Sequence, residues 1–276
     1  MRVVLLGEQA TGKSSLLVAL YGALVNRRAD STSIVRTIDE VAFLSRGLAA
    51  LGRRESVRRT EVDAHARLLV ELAHGGAVVT IELPDRSGEI LRNMIEARIW
   101  DPDLRRQVGD AAAAMLFLRA DHFEPAAPAA PDHDDDSGLA PVPPAPTVWS
   151  PAQMPPDVRA VDLLQAVLEE RPTALPLAVI VSAWDLVADA AAQAPPVWLS
   201  QRAPLLDQFL SIHSGQLPHA VFGVSAQGGD FADRSFDDAD RADPWDRAFL
   251  IGPDGVRRTL AEPIRWLIDE VAACTS

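Results

Sequence analysis

The sequence predicts an α/β fold with a mostly parallel sheet, one antiparallel strand supplied by a β-hairpin, and a proline-rich insertion. Three observations carry that expectation. The apolar run Val3 to Leu6 enters a glycine loop, Gly7 to Ser14 (GEQATGKS), and the loop opens a helical pattern running to Val25. Two later apolar runs, Leu177 to Ser182 and Ala220 to Val224, each follow a helical segment, as buried parallel strands do. Between these halves, two strand-like runs flank His74-Gly75-Gly76, and strands joined by so tight a turn must be antiparallel.

In chain order, the first helix is expected from about Lys13 to Val25, with Leu16, Leu17, Leu20 and Leu24 facing the core. A polar run from Asn26 to Thr32 follows, and then a helix from Ile38 to Leu51 that stops at Gly52. Arg53 to Thr60 (RRESVRRT) has no apolar periodicity beyond Val57 and reads as exposed loop. The hairpin strands are Ala66 to Ala73 and Ala77 to Leu83. The second runs into Pro84 to Glu89 (PDRSGE) and a helical segment from Ile90 to Trp100. Met115 to Leu118 is a buried strand, preceded by alanines that could equally finish a helix.

Composition then changes. Ten of the 21 prolines lie between Glu124 and Asp157, with an HDDD run at His133 to Asp136, so residues 124–157 are expected to be a disordered insertion within one domain spanning 1–276. Neither flank alone contains a complete sheet. Helices are expected over Val158 to Glu170, Val197 to Ile212 and Pro263 to Ala273. A loop and small hairpin about Gly252-Pro253-Asp254-Gly255 occupy 228–260.

The whole chain bounds the function. Its 276 residues can bury a sizeable core. A net charge of −13 argues against nucleic acid as partner, because phosphate-backbone binding needs a basic field. The single cysteine, Cys274, excludes an intramolecular disulfide or a Cys-rich zinc site. No apolar run approaches a membrane span and the N-terminus opens directly on a strand, so the expected location is the cytoplasm. Six scattered histidines fall at no metal-ligand spacing.

The chemistry starts at the glycine loop. Gly7 to Ser14 fits G-x-x-x-x-G-K-[ST], in which backbone N–H groups and a helix N-terminus converge on a polyphosphate. Gly7, Glu8, Gln9, Ala10, Thr11, Gly12, Lys13, Ser14 and Ser15 are the expected phosphate contacts. Lys13 would reach the β- and γ-phosphates, and the Ser14 hydroxyl would join Mg²⁺. Of 26 basic residues, Lys13 is the only lysine; the other 25 are arginines. A compact ammonium stands at the one position where a planar guanidinium would be too bulky.

Four segments stand at strand ends: GEQATGKS, DRSG (Asp85 to Gly88), SAWD (Ser182 to Asp185) and SAQ (Ser225 to Gln227). In order and setting they resemble the Ras-like and translation-factor (TRAFAC) class of P-loop GTPases. The SAWD segment and Glu262 to Leu267 (EPIRWL) look, more narrowly, like the bacterial double-GTPase proteins linked to predicted conflict systems. The resemblance implies a three-layer G domain that binds GTP and GDP with Mg²⁺ and hydrolyses the γ-phosphate. It implies Asp85 as a metal-site residue and Gly88 as a γ-phosphate contact.

Glu89 stands where many relatives carry the glutamine that orients the attacking water. A carboxylate accepts from water but cannot donate to the phosphoryl group. Glu89 therefore either positions the water as an acceptor or marks slow unaided hydrolysis. A first-turn glutamate favoured by the helix dipole is the structural alternative. Asp185 matches guanine's adjacent N–H and NH₂ donors, whereas Ala183 lacks the lysine stem that would cover the base, and Trp184 can instead pack on the sheet. Ser182, Ser225 and Ala226 complete the implied base site. The switch threonine that would join the metal is expected at Thr60, just before the hairpin; Thr37 is the alternative. Arg58 and Arg59 are candidate in-cis cations or a solvated face. The implied partner is a protein effector, or a second GTPase-like chain, engaging the switch loops. Two other readings stay open: a nucleotide-binding scaffold with negligible turnover, and an ATPase or small-molecule kinase, which the hairpin before DRSG disfavours.

Overall fold

The computed structural model describes residues 1–26, 32–38, 41–55, 57, 68–83, 87–123, 153–187, 193–229 and 243–275. Strand β1 (Arg2–Leu6) lies inside a nine-stranded sheet with β2 (Ser33–Ile38), β3 (Leu68–His74), β4 (Ala77–Leu83), β5 (Ala113–Arg119), β6 (Leu177–Ser182), β7 (His219–Ser225), β8 (Phe249–Ile251) and β9 (Arg257–Arg258). Their order across the sheet is β2-β3-β4-β1-β5-β6-β7-β8-β9. The central strands β4, β1, β5, β6 and β7 pair in parallel. Only β3 and β8 run against the rest, so the mostly parallel sheet expected from sequence forms, but with two antiparallel strands rather than one, because the second hairpin adds to β7.

Successive side chains of a strand point to opposite faces, and the core divides accordingly. Val3 and Leu5 of β1, with Met115, Phe117, Ile180 and Phe222, face α1 (Lys13–Val25), α2 (Val41–Gly52) and α9 (Glu262–Thr275). Val4 and Leu6, with Leu116, Leu118, Val179 and Val181, face α3 (Ser87–Ala97), α4 (Pro102–Asp110), α5 (Pro156–Glu170), α6 (Pro195–Arg202) and α7 (Pro204–Ile212). Both faces of the sheet are covered, which is why the central strands read as continuous apolar runs. One further short helix, α8 (Pro244–Arg247), precedes β8.

The hairpin forms as expected. Residues 68–74 and 77–83 pair antiparallel, and Gly75 (φ +57°) and Gly76 (φ +84°) supply the two positive φ values that a two-residue I′ turn needs. The four leucines singled out on α1 are all buried. So are Val18, Ala19, Gly22 and Ala23, because α2 covers the face of α1 turned from the sheet. A Cβ on Gly22 would sit 2.7 Å from the Leu48 side chain, and one on Gly47 would sit 2.6 Å from the Val18 side chain, so each helix seats a side chain on a glycine of the other.

Three elements differ from the expectation. Residues 33–38 form an edge strand, β2, and the helix that follows starts at Val41 rather than Ile38. The run SIVRTI is rich in β-branched residues, and pairing with β3 decides its state. The helix expected over Ile90 to Trp100 begins earlier, at Ser87, and a second helix, α4, follows it. Asp101 caps α4 by accepting from the N–H groups of Asp103 and Leu104, and Pro102 occupies its first position. The single helix expected over Val197 to Ile212 is two. Pro204 has no N–H to continue the ladder, and Ala203 leaves helical geometry at φ −134°, ψ 58°.

Residues 124–152 lie outside the described set, but β5 before them and β6 after them are direct neighbours in the sheet. The hairpin of β8 and β9 joins the same sheet through β7 rather than standing apart. Among the described residues, no helix is long and apolar enough to cross a membrane.

Candidate functional site

The parallel strands end in register: Leu6 lies beside Leu116, Arg119 beside Ser182, and Ser182 beside Val224. Loops leaving their carboxyl ends therefore gather along one edge of the sheet, where α/β folds bind ligands. The loop from β1 to α1 is the tightest of them. Gly7 (φ +141°), Ala10 (φ +62°) and Gly12 (φ +87°) all adopt positive φ. A Cβ on Gly7 would lie 2.8 Å from the Phe117 carbonyl oxygen of β5, and one on Gly12 would lie 2.8 Å from Ser182 Cβ of β6. Neighbouring strands thus clamp the loop at both of its glycines, and only hydrogen fits at either place.

Lys13 is buried and folds back over this loop. Its Nζ donates to the carbonyl oxygens of Gly7 at 2.5 Å and Glu8 at 2.6 Å, and lies 3.3 Å from Thr11 Oγ1. Thr11, also buried, donates its hydroxyl to Glu8 O at 2.8 Å. The ammonium is thereby held at the mouth of the loop by oxygens of the loop itself. Gly12 precedes helix α1 as its cap residue and offers no side-chain cap, and the first turn holds no acidic residue. The helix's opening N–H groups and dipole present a positive end, and no carboxylate in its own first turn competes for it. Ser14 and Ser15 sit half-buried in that first turn, while Gln9 and Ala10 are exposed at the loop tip.

The base-site candidates come together beside it. Ser182 is buried under Gly12. Ala183 takes a left-handed conformation, φ +54°, and swings the chain into a 3₁₀ turn from Trp184 to Leu186 that leaves Asp185 half-exposed. Ser225 is fully buried at the end of β7, its Oγ accepting from the Gly228 N–H at 2.9 Å, and Ala226 is half-buried beyond it. Trp184 is fully buried. It fills the space over Gly223, where a Cβ would come within 2.3 Å of its ring, and meets Trp198 edge-on at 6.2 Å. Its indole packs on the sheet and is not available to cover a base.

The other predicted residues are placed only in part. Gly88 and Glu89 lie in the first turn of α3, one helical turn earlier than expected. Thr60, Asp85, Arg58 and Arg59 lie outside the described residues. Thr37 lies in the edge strand β2, paired with Val70. Among the described residues no group of three metal-ligating side chains occurs, and two of the three expected metal-site residues are not in that set.

Two residues near the loop carry no signal in the sequence. Arg119, at the end of β5, grips Asp121 with both arms, at 2.6 and 2.9 Å. Its guanidinium is held above its ordinary value chiefly by that hydrogen bonding, against the opposing effect of burial, with the charges of Asp121 and Asp185 adding to it. The Asp121 carboxyl is correspondingly held low. Arg159, on α5, donates Nε to Glu8 Oε1 of the phosphate loop at 2.7 Å. No local pattern links residues 151 positions apart. A small cavity of about 30 Å³ lies behind the loop, between Gly7, Thr11, Arg119 and α5. A larger concavity of about 520 Å³ lies away from the loop, among Trp245, Arg257, Arg258 and Arg265.

A doubly covered parallel sheet with a lysine-bearing glycine loop after its first strand defines a nucleotide-binding protein of the P-loop class. The chain belongs to the double-GTPase 1 family, whose profile matches residues 4–267. No curated protein matches it at a significant level. Solved structures similar to it include the following three. Translation elongation factor SelB from Methanococcus maripaludis, in complex with the GTP analogue GppNHp, shares 10% identity over 83% of this chain, with a TM-score of 0.38. A probable GTP-binding protein EngB shares 13% over 86% of this chain and 94% of its own, at 0.37. The G domain of the T. maritima FeoB iron transporter shares 12% over 83% and 90%, at 0.31. The chain spans 30% of the length of the elongation factor.

Proposed function

We propose that this protein binds GTP at the Gly7 to Ser14 loop and hydrolyses its γ-phosphate, acting as a molecular switch. The observation that carries the reading is the loop: two glycines with no room for a Cβ, an uncapped helix start, and the buried Lys13 ammonium held at its mouth. Membership of a double-GTPase family supports guanine over adenine. Asp185, half-exposed beside the buried Ser182 and Ser225, supports it chemically, because an acceptor-only carboxylate fits guanine's paired donors.

In this reading Lys13 and the loop N–H groups offset charge developing on the β- and γ-phosphates, and Gly88 senses the γ-phosphate at the start of α3. Glu89, one residue on, accepts a hydrogen bond from the attacking water and holds it in line. Ser14, Thr60 and Asp85 would hold Mg²⁺ through oxygen donors of the kind that ion takes, and the ion would neutralise charge between the phosphates. The chain works as one G domain, in the cytoplasm, interrupted by the proline-rich insertion between β5 and α5; the insertion stops short of the 157 expected from sequence, because Pro156 and Asp157 open α5. A protein effector or a second GTPase-like chain, in a bacterial conflict system, reads its switch segments. A second reading, GTP binding without turnover, is favoured by Glu89, a carboxylate that cannot donate to the transferring phosphoryl group, together with the altered base motif, in which Ala183 and the buried Trp184 leave the base face without the usual cover.

The test is phosphate release from GTP and from ATP by purified protein, with Lys13→Ala as control. Release from GTP alone, abolished in Lys13→Ala, is the expected result. Tight GTP binding without release would select the second reading, and preference for ATP would overturn the assignment of Asp185.

A further inference from the structure

The phosphate loop carries a carboxylate, a charge that opposes the polyanion such a loop binds. Glu8 does not stand alone, however. Its Oε1 accepts from Arg159 Nε at 2.7 Å, and Arg159 Nη1 also donates to the Met154 carbonyl at 2.9 Å, so the guanidinium is fixed between the loop and the start of α5. The two side chains are 32% and 21% exposed, which shields their interaction from solvent more than that of a surface pair. Glu8 is also a hub through its main chain. The same residue's carbonyl oxygen accepts from Lys13 Nζ and Thr11 Oγ1. Through one residue, α5 is tied to the backbone that orients the lysine.

We propose that Arg159 is a positioning residue of the nucleotide site: by pairing with Glu8 it cancels the loop's own negative charge and anchors the first turn of the loop. The inference rests on the reading that the loop binds a nucleoside triphosphate. Its consequence is a pattern of signs. Removing the guanidinium leaves an unopposed carboxylate beside the phosphates, and removing the carboxylate leaves an unopposed cation. Removing both restores neutrality. A role confined to scaffolding predicts loss in every case.

Calorimetric titration of GTP and GDP in Mg²⁺, with wild type and variants, reads this directly. At about 50 mM salt, Arg159→Ala is expected to raise the Kd for GTP roughly five- to tenfold, and for GDP less, from one unit charge acting on two to three phosphate charges at ~10 Å through partly screened solvent. Glu8→Gln is expected to lower the Kd for GTP about two- to fivefold. The double variant should return to within about twofold of wild type, and all differences should shrink at about 500 mM salt, where the Debye length falls to a few ångströms. Circular dichroism of each variant establishes folding. The proposal is overturned if Arg159→Ala binds like wild type, if Glu8→Gln weakens binding, or if the double variant stays as weak as Arg159→Ala. Should wild type bind neither nucleotide, the phosphate-loop reading itself fails; a flat series on a binding wild type sinks only the role of Arg159.

Discussion

Replacing Gly12 by alanine tests how tightly the fold holds the phosphate loop. At φ +87° the residue lies in the left-handed region, where a Cβ costs about 1–2 kcal/mol. That Cβ would also lie 2.8 Å from Ser182 Cβ and 2.9 Å from Ser182 Oγ, far inside the 3.5–4.0 Å of an ordinary contact. Ser182 belongs to a central strand paired on both sides, so it cannot retreat, and relief by shifting the loop adds an overpacking penalty of about 1–3 kcal/mol. Gly12→Ala should therefore destabilise the nucleotide-free protein by about 2–5 kcal/mol, a large share of a typical domain's stability. Urea unfolding measures it. The contact part can be separated by adding Ser182→Gly, which removes both offending atoms: the double-mutant cycle should recover about 1–3 kcal/mol and leave the backbone strain. A single variant within about 0.5 kcal/mol of wild type, or a cycle with no coupling, would refute the clamping of the loop by β6.

Trp184→Ala should cost about 3–5 kcal/mol in the same unfolding assay and leave the GTP-to-ATP affinity ratio unchanged; a changed ratio at unaltered stability would place the indole on the base instead. Asp185→Asn should weaken GTP binding by at least ~10²-fold, since a donor then faces guanine's donors, and should favour xanthosine triphosphate in a competition assay. Retained GTP affinity would count against Asp185 as the base reader. The Asp121 carboxyl is held low chiefly by its hydrogen bonds from Arg119, so its contribution to stability is present above the ordinary carboxyl value of the unfolded chain and is lost as pH falls through the lower folded value. Arg119→Ala should raise the Asp121 titration midpoint towards the ordinary carboxyl value, observable by NMR, and an unmoved midpoint would refute the pairing.

Elements whose state depends on local pattern were legible. The Gly75-Gly76 turn, the apolar strands β6 and β7, and the leucines of α1 follow from turn chemistry and burial alone. Elements that depend on a partner or on a single residue were not. Strand β2 is an edge that exists through β3, and its short sequence fits a helix start as well. The break between α6 and α7 hangs on Pro204 within an otherwise helical pattern. Helix α4 did carry a start signal, Asp101-Pro102, that apolar periodicity alone passes over.

The candidate site divides the same way. GEQATGKS contains its own chemistry, because consecutive amides, a lysine and a serine act on one anion from one short segment. By contrast, the fate of Trp184 depended on whether space existed beside it. Gly223, on the neighbouring strand and 39 positions later in the sequence, provides that space.

What the sequence by itself determined is the loop, the strand that feeds it and the helix that receives it, since each is set by residues within a few positions of one another. Only the tertiary structure decided what surrounds that loop: Ser182 and Phe117 pressing on its glycines, and Arg159 reaching its carboxylate. The physical reason is that packing and charge pairing act through space between chain segments far apart in sequence, where periodicity and spacing carry no record of them.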